Sequence, residues 1–199
     1  TGTYNSMGFG VSSSSRASVS TNNSSAWGGR QDNTKVFNQI DSSNSVLVAG
    51  DLVSLDPDGF TVNWTTVSSG VVENYIAIGG DTVTDAAVVE FTAPVVAGSK
   101  AVTGVGFQPD AMILMSLGDP NPAPTTRSNF NQFGWGFTTA TNQGTVSYEW
   151  DTTNPSAYQT ASSAIAVVQN NAKQQEAVLT SFDSDGFTLN YTTSSDQAY

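Results

Sequence analysis

A fifteen-residue phrase that occurs twice constrains this chain more than any other feature. Residues 52–66 read LVSLDPDGFTVNWTT, and residues 179–193 read LTSFDSDGFTLNYTT. Ten of the fifteen positions are identical, and the copies lie 127 residues apart, from Leu52 to Leu179. The differences keep their character: Leu55 becomes Phe182, Val62 becomes Leu189 and Trp64 becomes Tyr191. Self-similarity at a fixed spacing points to one structural unit, somewhat over a hundred residues long, present in two copies or parts of copies. Each phrase contains Asp-x-Asp-Gly, which is turn chemistry, because Asp accepts bonds from nearby amides and Gly takes positive φ freely. After the turn the residues alternate. Phe60, Val62 and Trp64 share one face, and Thr61, Asn63 and Thr65 the other, which is the period of a half-buried strand.

The rest of the chain agrees with β structure. Ser, Thr, Asn and Gly are abundant while Lys and Glu are scarce, a mix that disfavours helix and suits strands joined by tight turns. At 199 residues the chain holds one large β domain or two small ones, with a sizeable core. Charged residues make up only 12%, yet the net charge is −11. That leaves no basic footprint for nucleic acid and no attraction to an anionic membrane. Cysteine and histidine are absent, which removes thiolate chemistry, the commonest general base and the commonest transition-metal ligand. No apolar run nears the ~20 residues of a membrane helix. The start, TGTYNS, lacks a Met and a signal-like segment, so the chain is expected to be processed or a piece of something longer.

The second copy extends upstream of its turn. Gly8-Phe9-Gly10-Val11 is echoed by Gly134-Trp135-Gly136-Phe137, and Val19-Ser20 by Val146-Ser147. Glycines flanking an aromatic within a strand point to close backbone approach or a bulge. Residues 46–55 make one or two short strands, matched by 164–168 and 177–182, with QNNAKQQE expected as a longer hairpin loop. Tyr75–Gly80 (YIAIGG) and Val88–Phe91 are further strand candidates. Ala111–Met115 (AMILM) is apolar on both faces and is expected at the centre of a sheet, covered on both sides. DPNPAPT at 119–125 is an extended, stiff loop. Copy one lacks the QPD-AMILM strand and copy two lacks the YIAIGG strand. The chain is thus cut out of phase with its repeat, and either a longer product or neighbouring chains are expected to supply what is missing.

In order, GVGFQPDAMILM (104–115), SFDSDGFTLNYTT (181–193) and YIAIGG (75–80) resemble repeat domains in the virion proteins of tailed bacteriophages. The resemblance touches most of the chain through three short motifs. It implies a phage-type β-sandwich in a structural protein, and it carries over no catalytic residues.

Candidate chemistry is thin. Asp56 with Asp58, or Asp183 with Asp185, invites calcium, but the twelfth loop positions are Val67 and Ser194 rather than Glu, so a structural turn is favoured. An irregular calcium site completed by another loop stays open. The glutamates Glu73, Glu90, Glu149 and Glu176 single out no glycosidase pair; Glu149-Trp150-Asp151 is the most suggestive stretch, and an ordinary strand end explains it better. Serine has no His to activate it, and Gly-x-Gly at 8–10 and 134–136 lacks a phosphate cradle's spacing. Asn63-Trp64-Thr65 and Asn190-Tyr191-Thr192 fit the glycosylation sequon, a coincidence in a phage protein. Trp27, Trp135, Trp150 and Tyr158 are candidates for a sugar groove or for anchors on a neighbouring subunit.

The expected fold is all-β: an antiparallel, jelly-roll-like β-sandwich with tandem pseudo-repeats, residues 1–85 and 86–199, packed as one sandwich or two. The first repeat lacks its N-terminal strand and the second its C-terminal strand. The expected function is structural and non-enzymatic: a head decoration protein or a head or tail fibre subunit, working in the virion, outside cells. Its partners would be capsid or tail proteins and further copies of itself. The alternative is an adhesin module recognising host-surface glycans, with a polysaccharide-degrading enzyme a weaker third reading. No catalytic, cofactor-binding or metal-binding residue is assigned, no cofactor is expected, and neither nucleic acid nor membrane is a partner.

Overall fold

A computed structural model describes residues 4–24, 26–68, 71–128, 130–150 and 155–195. They form strands and no helix. In chain order the strands are β1 (Tyr4–Gly10), β2 (Arg16–Asn22), β3 (Gly28–Asp32), β4 (Phe37–Ile40), β5 (Val46–Asp56) and β6 (Gly59–Thr66). Next come β7 (Gly98–Thr103), β8 (Ala111–Ser116) and β9 (Thr125–Ser128). The last are β10 (Gln132–Thr139), β11 (Gln143–Glu149), β12 (Ser156–Thr160), β13 (Ile165–Gln169), β14 (Ala172–Asp183) and β15 (Gly186–Ser194). All pairings are antiparallel.

The pairing follows the same order twice. β1-β2-β3 and β4-β5-β6 are meanders, and so are β10-β11-β12 and β13-β14-β15. Three strands are additions: β8 pairs with β10, β7 with β15, and β9 with β3. β9 therefore leaves the second series to complete the first one's sheet. The stiff 119–125 loop carries the chain across.

Within each series the two sheets meet through an edge strand whose outward backbone groups need partners. In the second series this strand is β13. The amides of Ala166, Val168 and Asn170 donate to Thr145 Oγ1 (3.1 Å), Ser147 Oγ (3.0 Å) and Glu149 Oε2 (2.5 Å). Both sets advance by two residues, so each lies on one face of its strand and they match rung for rung. Thr145 also donates to the Trp135 carbonyl (2.9 Å). The first series has a side-chain version: Asn38 of β4 donates to Ser18 Oγ (3.1 Å) and accepts from Ser20 Oγ (2.5 Å). This is why a sandwich interior contains fully buried Ser18, Ser20, Asn38, Thr145 and Ser147.

The expected close approach at the paired glycines is present. A Cβ on Gly136 would collide with the Ala164 carbonyl oxygen, and one on Gly8 with the Val36 carbonyl oxygen. The apolar core of the second series joins Val102, Leu114, Ala164, Ile165, Ala177, Phe187, Leu189 and Tyr191. A smaller cluster of Val19, Leu117 and Phe133, flanked by Met7, Met115 and Trp135, ties the two series together.

Four expectations need correction. YIAIGG and Val88–Phe91 are not strands. No neighbouring backbone is aligned with them; the Val88 amide donates to Ser15 Oγ (2.8 Å), and the Phe91 ring meets Phe187 edge-on at 5.6 Å. AMILM is not central: β8 is the edge of its sheet, and Ile113 is exposed. Its two apolar faces arise because Leu114 enters the main core while Met115 joins the cluster between the series. QNNAKQQE is not a longer loop. Asn170 and Asn171, at φ 50° and 60°, close a two-residue turn, and the residues after them lengthen β14.

Candidate interaction surface

The repeated Asp-x-Asp-Gly forms the tips of two hairpins built alike. Asp56 accepts from Ser54 Oγ (2.8 Å) and Thr61 Oγ1 (2.8 Å), and Asp183 from Ser181 Oγ (2.7 Å) and Thr188 Oγ1 (2.8 Å). These hydroxyl donors hold both carboxyls below the usual carboxylate range. The tips differ in what surrounds them. Asp185 receives the Gly106 amide at Oδ1 (2.7 Å) and the Gly104 amide at Oδ2 (3.0 Å), and Gln108 Nε2 donates to the Phe182 carbonyl (2.8 Å). Gly104 and Gly106 sit at φ +83° and +93°, a conformation that glycine adopts without strain. The connection after β7 is thereby wrapped around the second hairpin. Asp58, at the corresponding place on the first hairpin, receives no hydrogen bond from any described residue.

Burial follows the same asymmetry. Phe187, Leu189 and Tyr191 of β15 are buried, and burial pushes the Tyr191 hydroxyl up to about 12. Their counterparts on β6 are less covered: Phe60 and Val62 are half-buried and Trp64 is 43% exposed. Leu55, at 60%, and Val53 are exposed on β5. Beyond β6 the chain carries Val72, Tyr75, Ile76 and Ile78 almost bare, with Ile76 90% exposed. The Tyr75 ring meets Phe60 edge-on at 4.9 Å. A run of large apolar side chains left this exposed is a usual mark of an interaction surface. Comparison with protein-family models, curated proteins and solved structures finds no match.

The remaining candidates are dispersed. Among the described residues no group of three or more acidic side chains could hold a metal ion. Asp56 and Asp183 are engaged with their own hairpins and Asp185 with the β7 connection. Glu149 belongs to the β13 ladder. Glu90 is a strut, accepting from Asn33 Nδ2 (2.8 Å) and the Ala123 amide (2.8 Å). Burial raises Glu73, which stands apart from these. Glu176 is buried; burial works against its charge, but bonds from Lys173, Tyr158 Oη (2.7 Å) and Ser163 Oγ (2.8 Å) outweigh that and hold it low. The same contact raises Tyr158 and Lys173.

The aromatic candidates do not converge. Trp135 packs between the two series, Trp27 and Tyr158 are half-buried, and Trp150 is exposed. Asp151 lies outside the described residues. A cleft of about 440 Å³ is lined by Gln108–Asp110, Thr138–Gln143 and Leu179–Phe182, and contains none of these four rings. Sequence reasoning missed the role of Asp185. The signal was Gly104-Val105-Gly106, a glycine pair suited to a tight turn.

Proposed function

We propose that this chain is a non-enzymatic structural component of a bacteriophage virion, a head decoration protein or a head or tail fibre subunit, acting through subunit contacts. The observation that carries this reading is the apolar surface of the first series and the segment after it, where Val72, Tyr75, Ile76 and Ile78 meet solvent. A chain with net charge −11 that leaves such side chains bare gains free energy by covering them with another protein surface. The bacteriophage assignment draws on the motif resemblance, and the duplicated phrase fits a particle built from repeated β units. Partners in this reading are capsid or tail proteins and further copies of the chain.

Immunogold electron microscopy on phage particles from the source culture tests the reading. Regular labelling of intact particles is expected at one position on the head or tail. Particles without label, with all the protein free in the lysate, would refute it.

A further inference from the structure

The two series meet through the faces that their inner ladders leave outside. Ser18 and Ser20 of β2 face β4, so Val19 and its cross-strand neighbour Met7 point outward. Thr145 and Ser147 of β11 face β13, so Val146 and its neighbour Trp135 point outward too. Met7 stands opposite Val19 as Trp135 stands opposite Val146, so these are corresponding faces of the two series. They pack on each other: Val19 is only 4% exposed, in the cluster that includes Phe133, Met115 and Trp135. The chain therefore already contains a contact between two faces of the same kind.

That contact uses only part of the second face. One rung beyond Trp135 and Met115, Phe137 stands opposite Ile113, and both are 46% exposed. Val146, paired with Trp135, is 42% exposed where its counterpart Val19 is covered. These three side chains continue the covered patch without a break. The face is also uncharged. Glu149 is the only charged residue in β8, β10, β11 and β12, and it turns inward to accept the Asn170 amide just beyond β13. On a chain of net charge −11, two copies approach through such a face without opposing carboxylates.

We propose that Ile113, Phe137 and Val146 form the centre of a contact with a second copy of this chain, the same face meeting itself about a two-fold axis. An isologous contact buries the patch on both copies at once. The occupant follows from the fold. The covered part of this face already takes a face of its own kind as partner, and a second copy offers that surface again, apolar and neutral. The inference rests on the subunit-contact reading above and gives it a specific surface, one that does not involve the segment after β6.

Sedimentation velocity of the whole chain, from micromolar to millimolar concentration, tests the contact. A reversible monomer–dimer equilibrium is expected, and it persists at high salt because the contact is apolar. Phe137→Glu weakens dimerisation at least tenfold while leaving the melting curve of the dilute, monomeric chain unchanged. Val146→Glu does the same from a different strand, so a folding defect in one variant leaves the other to decide. Ile76→Glu, on the segment after β6, leaves the dimer intact. A monomer across the whole range, or a dimer that survives both Phe137→Glu and Val146→Glu, overturns the proposal. Labelled particles together with a monomeric chain would refute this contact alone; unlabelled particles together with the dimer would refute the virion reading alone.

Discussion

Replacing Ser147 by Ala tests how the two sheets of the second series are joined. Ser147 is 2% exposed, and its Oγ accepts the Val168 amide at 3.0 Å. Val168 is itself buried, so the orphaned amide has no route to water. The loss is then the desolvation of a buried donor rather than a net exchange of hydrogen bonds, about 2 kcal/mol. For a chain of this size that lowers Tm by about 4–8 °C. Chemical denaturation followed by fluorescence would measure the free energy, and amide exchange at Val168 would locate it. Ser162→Ala, at an exposed position one residue before the buried Ser163, is the control and should fall within about 0.5 kcal/mol of the parent. A Ser147→Ala protein as stable as the control, with Val168 equally protected, would refute the ladder as the joint between sheets.

Asp185→Ala should destabilise the isolated chain by about 1–2 kcal/mol, since two glycine amides lose a charged acceptor, whereas Asp58→Ala should be neutral; paired denaturation curves decide it. Leu189→Ala, at a fully buried site, should cost about 3 kcal/mol, and Val62→Ala on half-covered β6 clearly less; equal losses would contradict the asymmetry of cover. Gly136→Val should abolish or severely impair folding, because its side chain would occupy the space of the Ala164 carbonyl; a well-dispersed NMR spectrum at parental stability would count against that packing. The folded-state value of Glu176 lies below its unfolded one, so its contribution is complete above the unfolded value near ~4.3 and is lost as pH falls through the folded one. The stability gap between parent and Glu176→Gln should therefore narrow only below about pH 4, read from denaturation curves across pH 2–7.

Strand-forming residues and the two hairpin tips were legible because they depend on neighbours in sequence. Alternation at 60–65 and Asp-x-Asp-Gly specify a hairpin wherever it is placed, and the glycines around Trp135 announced a close approach. AMILM misled because two apolar faces read as central burial, while here each face meets a different cluster and the strand stays at an edge. YIAIGG misled because an apolar, strand-prone run states a capacity for pairing, and pairing needs a second backbone. The polar ladder at Thr145, Ser147 and Glu149 was not legible, since no local pattern distinguishes a hydroxyl facing water from one facing a buried amide.

Local chemistry in the chain itself determined that it is all-β, that it turns at Asp-x-Asp-Gly, and that the same phrase makes the same hairpin twice. Tertiary structure alone decided which hairpin is covered. β7 and the Gly-x-Gly turn reach Asp185 and not Asp58 because of where the chain runs in space. Two nearly identical sequences thereby end in different environments, Tyr191 buried in a core and its counterpart Trp64 43% exposed.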